Sequence, residues 1–250
     1  MTQPVGIILG DARDIITTLD DESIHLVITS PPYNVGKAYD KHEDCMQYEE
    51  HLSWLTAVFT ELKDKLVDGG RLCLNIAPTG IKDFMPIHHD LITNLRKAEF
   101  RFSGEIIWDK QNVTAGTAWG SHCSPSCPYI LPSHEYVYIL QKGGRKLKKS
   151  DNEPDITKDE FKKFTKPGLW SIKPETTKRG HPSPFPEELV YRLIKIFSYP
   201  GDTILDPFCG SGTVGVVCKQ LQREFIGIDI SEQYCREAEA RISNATDVSV

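Results

Sequence analysis

No apolar run in the 250-residue chain approaches the roughly 18 residues that a membrane-spanning helix needs. The opening stretch MTQPVGIILGDARD has no basic n-region and only a short apolar run, so no secretory signal is expected. The seven cysteines are scattered and odd in number. That argues against a disulfide framework and for reduced thiols in a cytoplasmic protein. There is no internal repeat. There is also no overall basic excess: the net charge is −6, which taken alone argues against a nucleic-acid partner.

What is present points elsewhere. Hydrophobic content of 39% and charged content of 26% are those of an ordinary globular protein, long enough for one large domain or two small ones. The charge is unevenly spread. Residues 142–179 hold 12 Lys/Arg against 6 Asp/Glu, leaving 17 against 29 for the rest. A basic segment on an acidic body fits a local phosphate-binding surface; a solvated lysine-rich loop fits it too.

Short apolar runs alternate with helical patterns. VGIIL (5–9), IHLVIT (24–29), RLCLNI (71–76), FSGEIIW (102–108), EYVYIL (135–140), DTILD (202–206) and EFIGID (224–229) read as strands. Several are apolar almost throughout, as in strands covered on both faces. Helices are expected at about 47–67, 83–98, 186–198, 212–222 and 231–243. The first keeps Leu52, Leu55, Phe59, Leu62 and Leu66 on one face and is expected to close at the Asp-Gly-Gly of 68–70. The alternation predicts a mostly parallel, doubly wound α/β sheet. Residues 110–133 and 141–185 break the alternation and exceed ordinary connection lengths; such stretches are commonly functional or disordered.

Two stretches carry chemistry. In VITSPPYNVG (27–36) a buried strand ends in two prolines and a tyrosine. Proline fixes φ and lacks an N–H, so the pair ends the strand and stiffens the corner after it. In ILDPFCGSGTVGVVCKQ (204–220) small residues sit between an expected strand and an expected helix. They let the backbone approach a ligand at a helix N-terminus. Asp229, in FIGIDIS, ends the next strand, where an acid can accept hydrogen bonds from a ribose diol. No Lys-Ser/Thr comes after the glycines, which disfavours an ATP-type phosphate loop.

With these motifs in view the chain resembles the amino-methyltransferases that act on DNA. DPFCGSGT is similar to their S-adenosylmethionine motif, TSPPYN to their catalytic motif, and HPSPFPEEL (181–189) to the segment that completes the cofactor pocket. The catalytic motif comes first and the cofactor motif last, as in the circularly permuted β group. The resemblance implies a single Rossmann-like domain over residues 1–250, with a seven-stranded, mostly parallel sheet, helices on both faces and one antiparallel edge strand. It implies S-adenosyl-L-methionine as cofactor, held by Asp11, Thr29, Pro184, Phe185, Asp206, Pro207, Phe208, Gly210, Ser211, Gly212, Thr213 and Asp229. It implies catalysis by Ser30, Pro31, Pro32 and Tyr33. It makes residues 141–180 a small basic target-recognition insertion, with DNA contacts expected at Trp119, Lys142, Arg145, Lys146, Lys148 and Lys149. The partners implied are double-stranded DNA and a companion restriction endonuclease, with no membrane, for a monomer or homodimer.

The chemistry suits the residues. An exocyclic amine is a poor nucleophile because its lone pair is conjugated into the ring. The Ser30 hydroxyl and Pro31 carbonyl can accept its hydrogens and aim that lone pair, and the prolines hold the acceptors in place. Tyr33 offers a face on which a flipped base can stack. The alternative, a Pro-Pro turn with a rim tyrosine, loses ground beside the cofactor motif. Cytosine N4 is the expected target, because the Ser version of the motif is typical of cytosine enzymes of the family. Ser30 could also donate to the neighbouring pyrimidine N3. Adenine N6 is the alternative, since adenine offers a similar edge. RNA or a protein glutamine as acceptor, and a non-catalytic nucleic-acid-binding protein of this fold, are further readings.

Other features have plainer readings. Cys209 is expected to be a packing thiol, not a nucleophile for cytosine C5. HCSPSCPY (122–129) has Cys123 and Cys127 at a loose C-x3-C spacing with no second pair, so no metal site is expected. Asp11 is expected to cap a helix, with pocket contact as a second role. Asp109 and Lys110 either face the target strand or form a local ion pair.

Overall fold

A computed structural model describes residues 5–33, 46–78, 85–111, 121, 123–128, 130, 132–148, 150–175 and 185–246. Among the described residues there are eight strands: β1 Gly6–Leu9, β2 Ile24–Thr29, β3 Leu66–Ile76, β4 Arg101–Asp109, β5 His134–Gln141, β6 Leu169–Ser171, β7 Thr203–Asp206 and β8 Glu224–Asp229. They form one sheet in the order β1-β8-β7-β2-β3-β5-β4-β6. All run the same way except β5, which is antiparallel to both β3 and β4.

The central strands are apolar throughout because both faces are covered. In β2, Val27 packs into one core while Leu26 and Ile28 pack into the other; in β3, Leu72 and Leu74 take the first core and Cys73 the second. On the first face lie α1 Ala12–Thr18, α2 Tyr48–Lys65 and α3 Ile87–Lys97, packed through Ile16, Leu55, Phe59 and Leu91. On the second lie α4 Lys158–Thr165, α5 Glu187–Phe197 and α6 Thr213–Gln220, packed through Phe164, Leu193 and Val217. Helix α7, Glu232–Asn244, comes after β8.

The structure departs from the expectations in detail. The seven expected strands are all present, and β6 adds an eighth at the edge. The antiparallel strand lies between two parallel ones, not at the edge. Asp68, Gly69 and Gly70 do not stop α2, which ends at Lys65; they form an irregular start to β3. There Gly69 has φ +78°, and a Cβ on it would stand 2.2 Å from the Lys146 carbonyl. Residues 154–172, inside the stretch expected as an insertion, are part of the main fold. Phe164, Trp170 and Ile172 are buried in the second core, and Asp155 is bound by Arg223 at 2.6 Å. No described helix is long and apolar enough to cross a membrane.

The chain passes from β7 to β8 in one direction along the sheet and from β2 to β3 in the other. The order therefore reverses between β7 and β2, and in such sheets the crevice outside the strand ends at that point is where ligands bind.

Candidate active site

Thr29 ends β2 and Asp206 ends β7, on either side of that reversal. The Thr29 hydroxyl donates to Asp206 Oδ1 at 2.7 Å, and the Phe208 N–H donates to the same oxygen at 3.1 Å. Burial pushes the Asp206 carboxyl up to about 7 against these two bonds, and nearby Asp229 pushes it the same way. On the next strand Asp229 is half-buried; its Oδ2 accepts from the Gly210 N–H at 2.9 Å and its Oδ1 from the Ser231 N–H at 2.8 Å.

The turn between them is shaped by close packing. Gly212 has φ +76°, and a Cβ on it would stand 2.7 Å from the Ala238 Cβ of α7. Any side chain would push the turn off α7 and displace the start of α6. Arg241 of α7 braces the turn from behind, donating to Ser211 Oγ at 3.0 Å and to Thr213 Oγ1 at 3.3 Å. The side chains of Ser211 and Thr213 are thus engaged within the fold. Phe208 packs on Trp54 and Phe59, with ring centroids 5.6 and 6.3 Å away, and Pro207 is buried. Phe185 is half-buried against the second core. Asp11 caps α1, accepting from the Arg13 N–H at 2.9 Å. Burial pushes the Cys209 thiol well up, and Asp206 and Asp229 push the same way. That keeps it a thiol, in keeping with packing and not nucleophilic attack.

One residue beyond Thr29 the Ser-Pro-Pro-Tyr corner begins. Pro31 is buried, and Ser30, Pro32 and Tyr33 are half-buried. Ser30 Oγ and the Tyr33 hydroxyl are 2.7 Å apart. Tyr33 donates to Glu135 Oε2 at 3.0 Å, and Asn75 Nδ2 donates to the same carboxylate at 2.5 Å. Lys110 Nζ pairs with Glu135 Oε1 and stands 5.0 Å over the Trp108 ring. Asp109 instead accepts from the Gln111 N–H at 3.0 Å and the Ser171 hydroxyl at 3.1 Å. The sequence reading missed Asn75 and Glu135. The available signal was a polar side chain inside an apolar strand, in RLCLNI and HEYVYIL.

The expected DNA contacts divide. Trp119, Lys149 and Pro184 lie outside the described residues. Lys142, Arg145, Lys146 and Lys148 are not beside the Ser-Pro-Pro-Tyr corner. Strand β5 runs backwards, so its end at Gln141 is paired with Arg71 and Arg101, near the starts of β3 and β4. Six residues of strand put that end about 20 Å from Glu135. Lys142 is also occupied, donating to the Leu66 carbonyl at 2.7 Å and the Asp64 carbonyl at 3.2 Å below α2.

The set of groups at the switch point suits a ligand that carries both a positive centre and a diol. A buried acid with a raised proton affinity favours a cation beside it, and the half-buried Asp229 carboxylate is an acceptor suited to hydroxyls. Comparison with known proteins agrees. A DNA methylase family model of the N6/N4 type matches residues 24–240. The chain is 40% identical over 177 residues to the type II methyltransferase M.MjaVI of Methanocaldococcus jannaschii, covering 69% of this chain and 89% of that one. It is 32% identical over 267 residues to M.MjaI of the same organism, covering 90% and 87%. Its structure is similar to that of TTHA0409 of Thermus thermophilus, crystallised in complex with S-adenosyl-L-methionine. That match has TM-score 0.76 and 29% identity over 97% of this chain and 94% of the other. The cytosine-N4-specific PvuII DNA methyltransferase shares the fold at TM-score 0.74 and 20% identity, over 99% and 89% of the two chains. The chain belongs to the N6/N4 DNA methylase family, and is an S-adenosyl-L-methionine-dependent DNA methyltransferase.

Proposed function

We propose that the chain methylates the N4 amine of cytosine at a fixed sequence in double-stranded DNA, as the modification enzyme of a type II system with a companion endonuclease. The observation that carries this reading is Ser30, a neutral acceptor one residue from the Thr29–Asp206 bond that joins the catalytic strand to the cofactor strand. S-Adenosyl-L-methionine, when bound, supplies an electrophilic methyl group. The protein's part is to hold the amine close to that group with its lone pair aimed, which Ser30 and the Pro31 carbonyl do as acceptors. Asp229 takes the ribose hydroxyls, and Asp206 with the 210–213 backbone lines the methionine end. Tyr33 keeps its role as a stacking face, with its hydroxyl tethered behind.

Target recognition falls to stretches joined to the described ends at Tyr33, Pro78, Gln111 and Glu175, all at the catalytic edge. Trp119 lies in one of them. Lys173, just past β6 at that edge, is exposed, which makes it a phosphate contact in place of Lys142–Lys148. Adenine N6 is the second reading, since the family model covers both amines and adenine offers a similar amine edge. The experiment is expression in a host without DNA methylation, then sequencing of modified bases. N4-methylcytosine in one sequence context is expected. N6-methyladenine alone would overturn the cytosine assignment.

A further inference from the structure

Behind the Ser-Pro-Pro-Tyr corner, Glu135 is only 7% exposed, and its carboxylate is met by three donors: Tyr33, Asn75 and Lys110. An ionised carboxylate can only accept, and a tyrosine hydroxyl has a single hydrogen. Tyr33 gives that hydrogen to Glu135 at 3.0 Å. Its oxygen is then an acceptor toward Asn75 Nδ2 at 2.8 Å and Ser30 Oγ at 2.7 Å. The Ser30 hydrogen must therefore point at Tyr33. Asn75 Nδ2 stands 3.5 Å from Ser30 Oγ, the outer limit of a bond, and has shorter contacts for both its hydrogens. The lone pairs of Ser30 are left for an incoming amine.

We propose that Glu135 is a positioning residue that sets the direction of the Ser30–Tyr33–Glu135 hydrogen-bond chain, so that Ser30 meets the target amine solely as an acceptor. The inference rests on the reading of Ser30 as the group that receives the amine. Lys110 and Asn75 hold Glu135 in place, and the antiparallel pairing of β3 with β5 brings Asn75 opposite Val137, two residues from Glu135. A consequence concerns base choice. With its hydrogen committed to Tyr33, Ser30 does not donate to the ring nitrogen beside the amine, so any preference it gives for cytosine works through its neutral acceptor oxygen and not through a bond to that nitrogen.

The test is single-turnover methyl transfer at saturating S-adenosyl-L-methionine and substrate duplex. Glu135→Gln keeps the shape but introduces an N–H that opposes the donors around it. Tyr33→Phe keeps the ring and cuts the chain. Each is expected to slow transfer by about tenfold or more, with cofactor and DNA affinities within about twofold of wild type. The double variant is expected to be no slower than the worse single one, because one chain is cut once. A wild-type rate for Glu135→Gln, or a double-variant loss equal to the product of the two single losses, overturns the proposal. Should Glu135→Gln fail to fold, Tyr33→Phe decides: a wild-type rate there also overturns it. Ser30→Ala separates the two layers. If Ser30→Ala transfers at the wild-type rate, the reading of Ser30 as acceptor falls. If it is slow while Glu135→Gln is not, only the role of Glu135 falls.

Discussion

At the N-terminal edge of the sheet the Arg223 side chain is fully buried and is met by both oxygens of Asp155, at 2.6 and 2.9 Å. At the C-terminal edge Asp206 is as deeply buried, yet among the described residues its hydrogen bonds come from a hydroxyl and a backbone N–H, not from a cation. The proton affinities diverge accordingly. Burial alone would push Asp155 up, but Arg223 and Lys195 hold it below the ordinary carboxylate range. Burial pushes Asp206 up to about 7. One edge matches its charges within the chain and is structural. The other keeps a buried acid that a positively charged ligand would complete. Desolvating a charge is costly unless it is paired, so an acid left this way in a switch-point crevice is a candidate for binding a cation.

The largest expected effect breaks the matched edge. Arg223→Ala leaves Asp155 with Lys195 as its remaining cation and takes the buried donor from the Ser198 and Leu221 carbonyls, and should cost about 3–5 kcal/mol of folding stability in a denaturant titration. The cofactor affinity of the folded fraction should be unchanged. A loss under about 1 kcal/mol would mean that the pair is solvated and that the two edges differ little in how their charges are matched.

The next effect sharpens the open edge through pH. The folded value of Asp206, about 7, lies above its ordinary 3.8. The native state thus holds a proton that the unfolded chain has released, and this group's contribution to stability falls as pH rises from about 4 to 7, then levels. A cofactor cation favours the ionised form, so cofactor affinity should rise with pH over the same window, by up to about tenfold between pH 6 and 7. Calorimetry in buffers of different ionisation enthalpy should show proton release there. Asp206→Asn should flatten the profile, and a flat wild-type profile would contradict the assignment.

The smallest effect compares basic residues at the two edges. Lys173→Ala should reduce the slope of log DNA affinity against log salt by about 0.9, the share of one phosphate contact. Lys146→Ala with Lys148→Ala should leave that slope unchanged. The reverse outcome would return the phosphate surface to the far edge.

Much of this was legible in the sequence. IHLVIT and EFIGID are strands at the bounds read from their apolar runs, because a doubly covered strand shows its burial in every residue. The corner at 30–33 and the turn at 210–213 announce themselves by proline and glycine. Strand β6 was not legible: LWS is too short to show a period, and Trp170 is buried by packing with Phe164 and α5, which no local pattern reveals. The reversed direction of β5 was not legible either. That one fact brings Glu135 to the Ser-Pro-Pro-Tyr corner and sends Lys142 to the opposite edge. Charge counting saw the basic segment but not which end of the sheet it would reach.

The most direct test of the contrast between the edges is a calorimetric titration with S-adenosyl-L-methionine of wild type and Asp229→Ala. One cofactor should bind per wild-type chain, and the variant should bind about 1–3 kcal/mol more weakly, the worth of a charged hydrogen-bond partner. Equal affinity in the two proteins would contradict the account, because the acids of the open edge would then not be the cofactor's site.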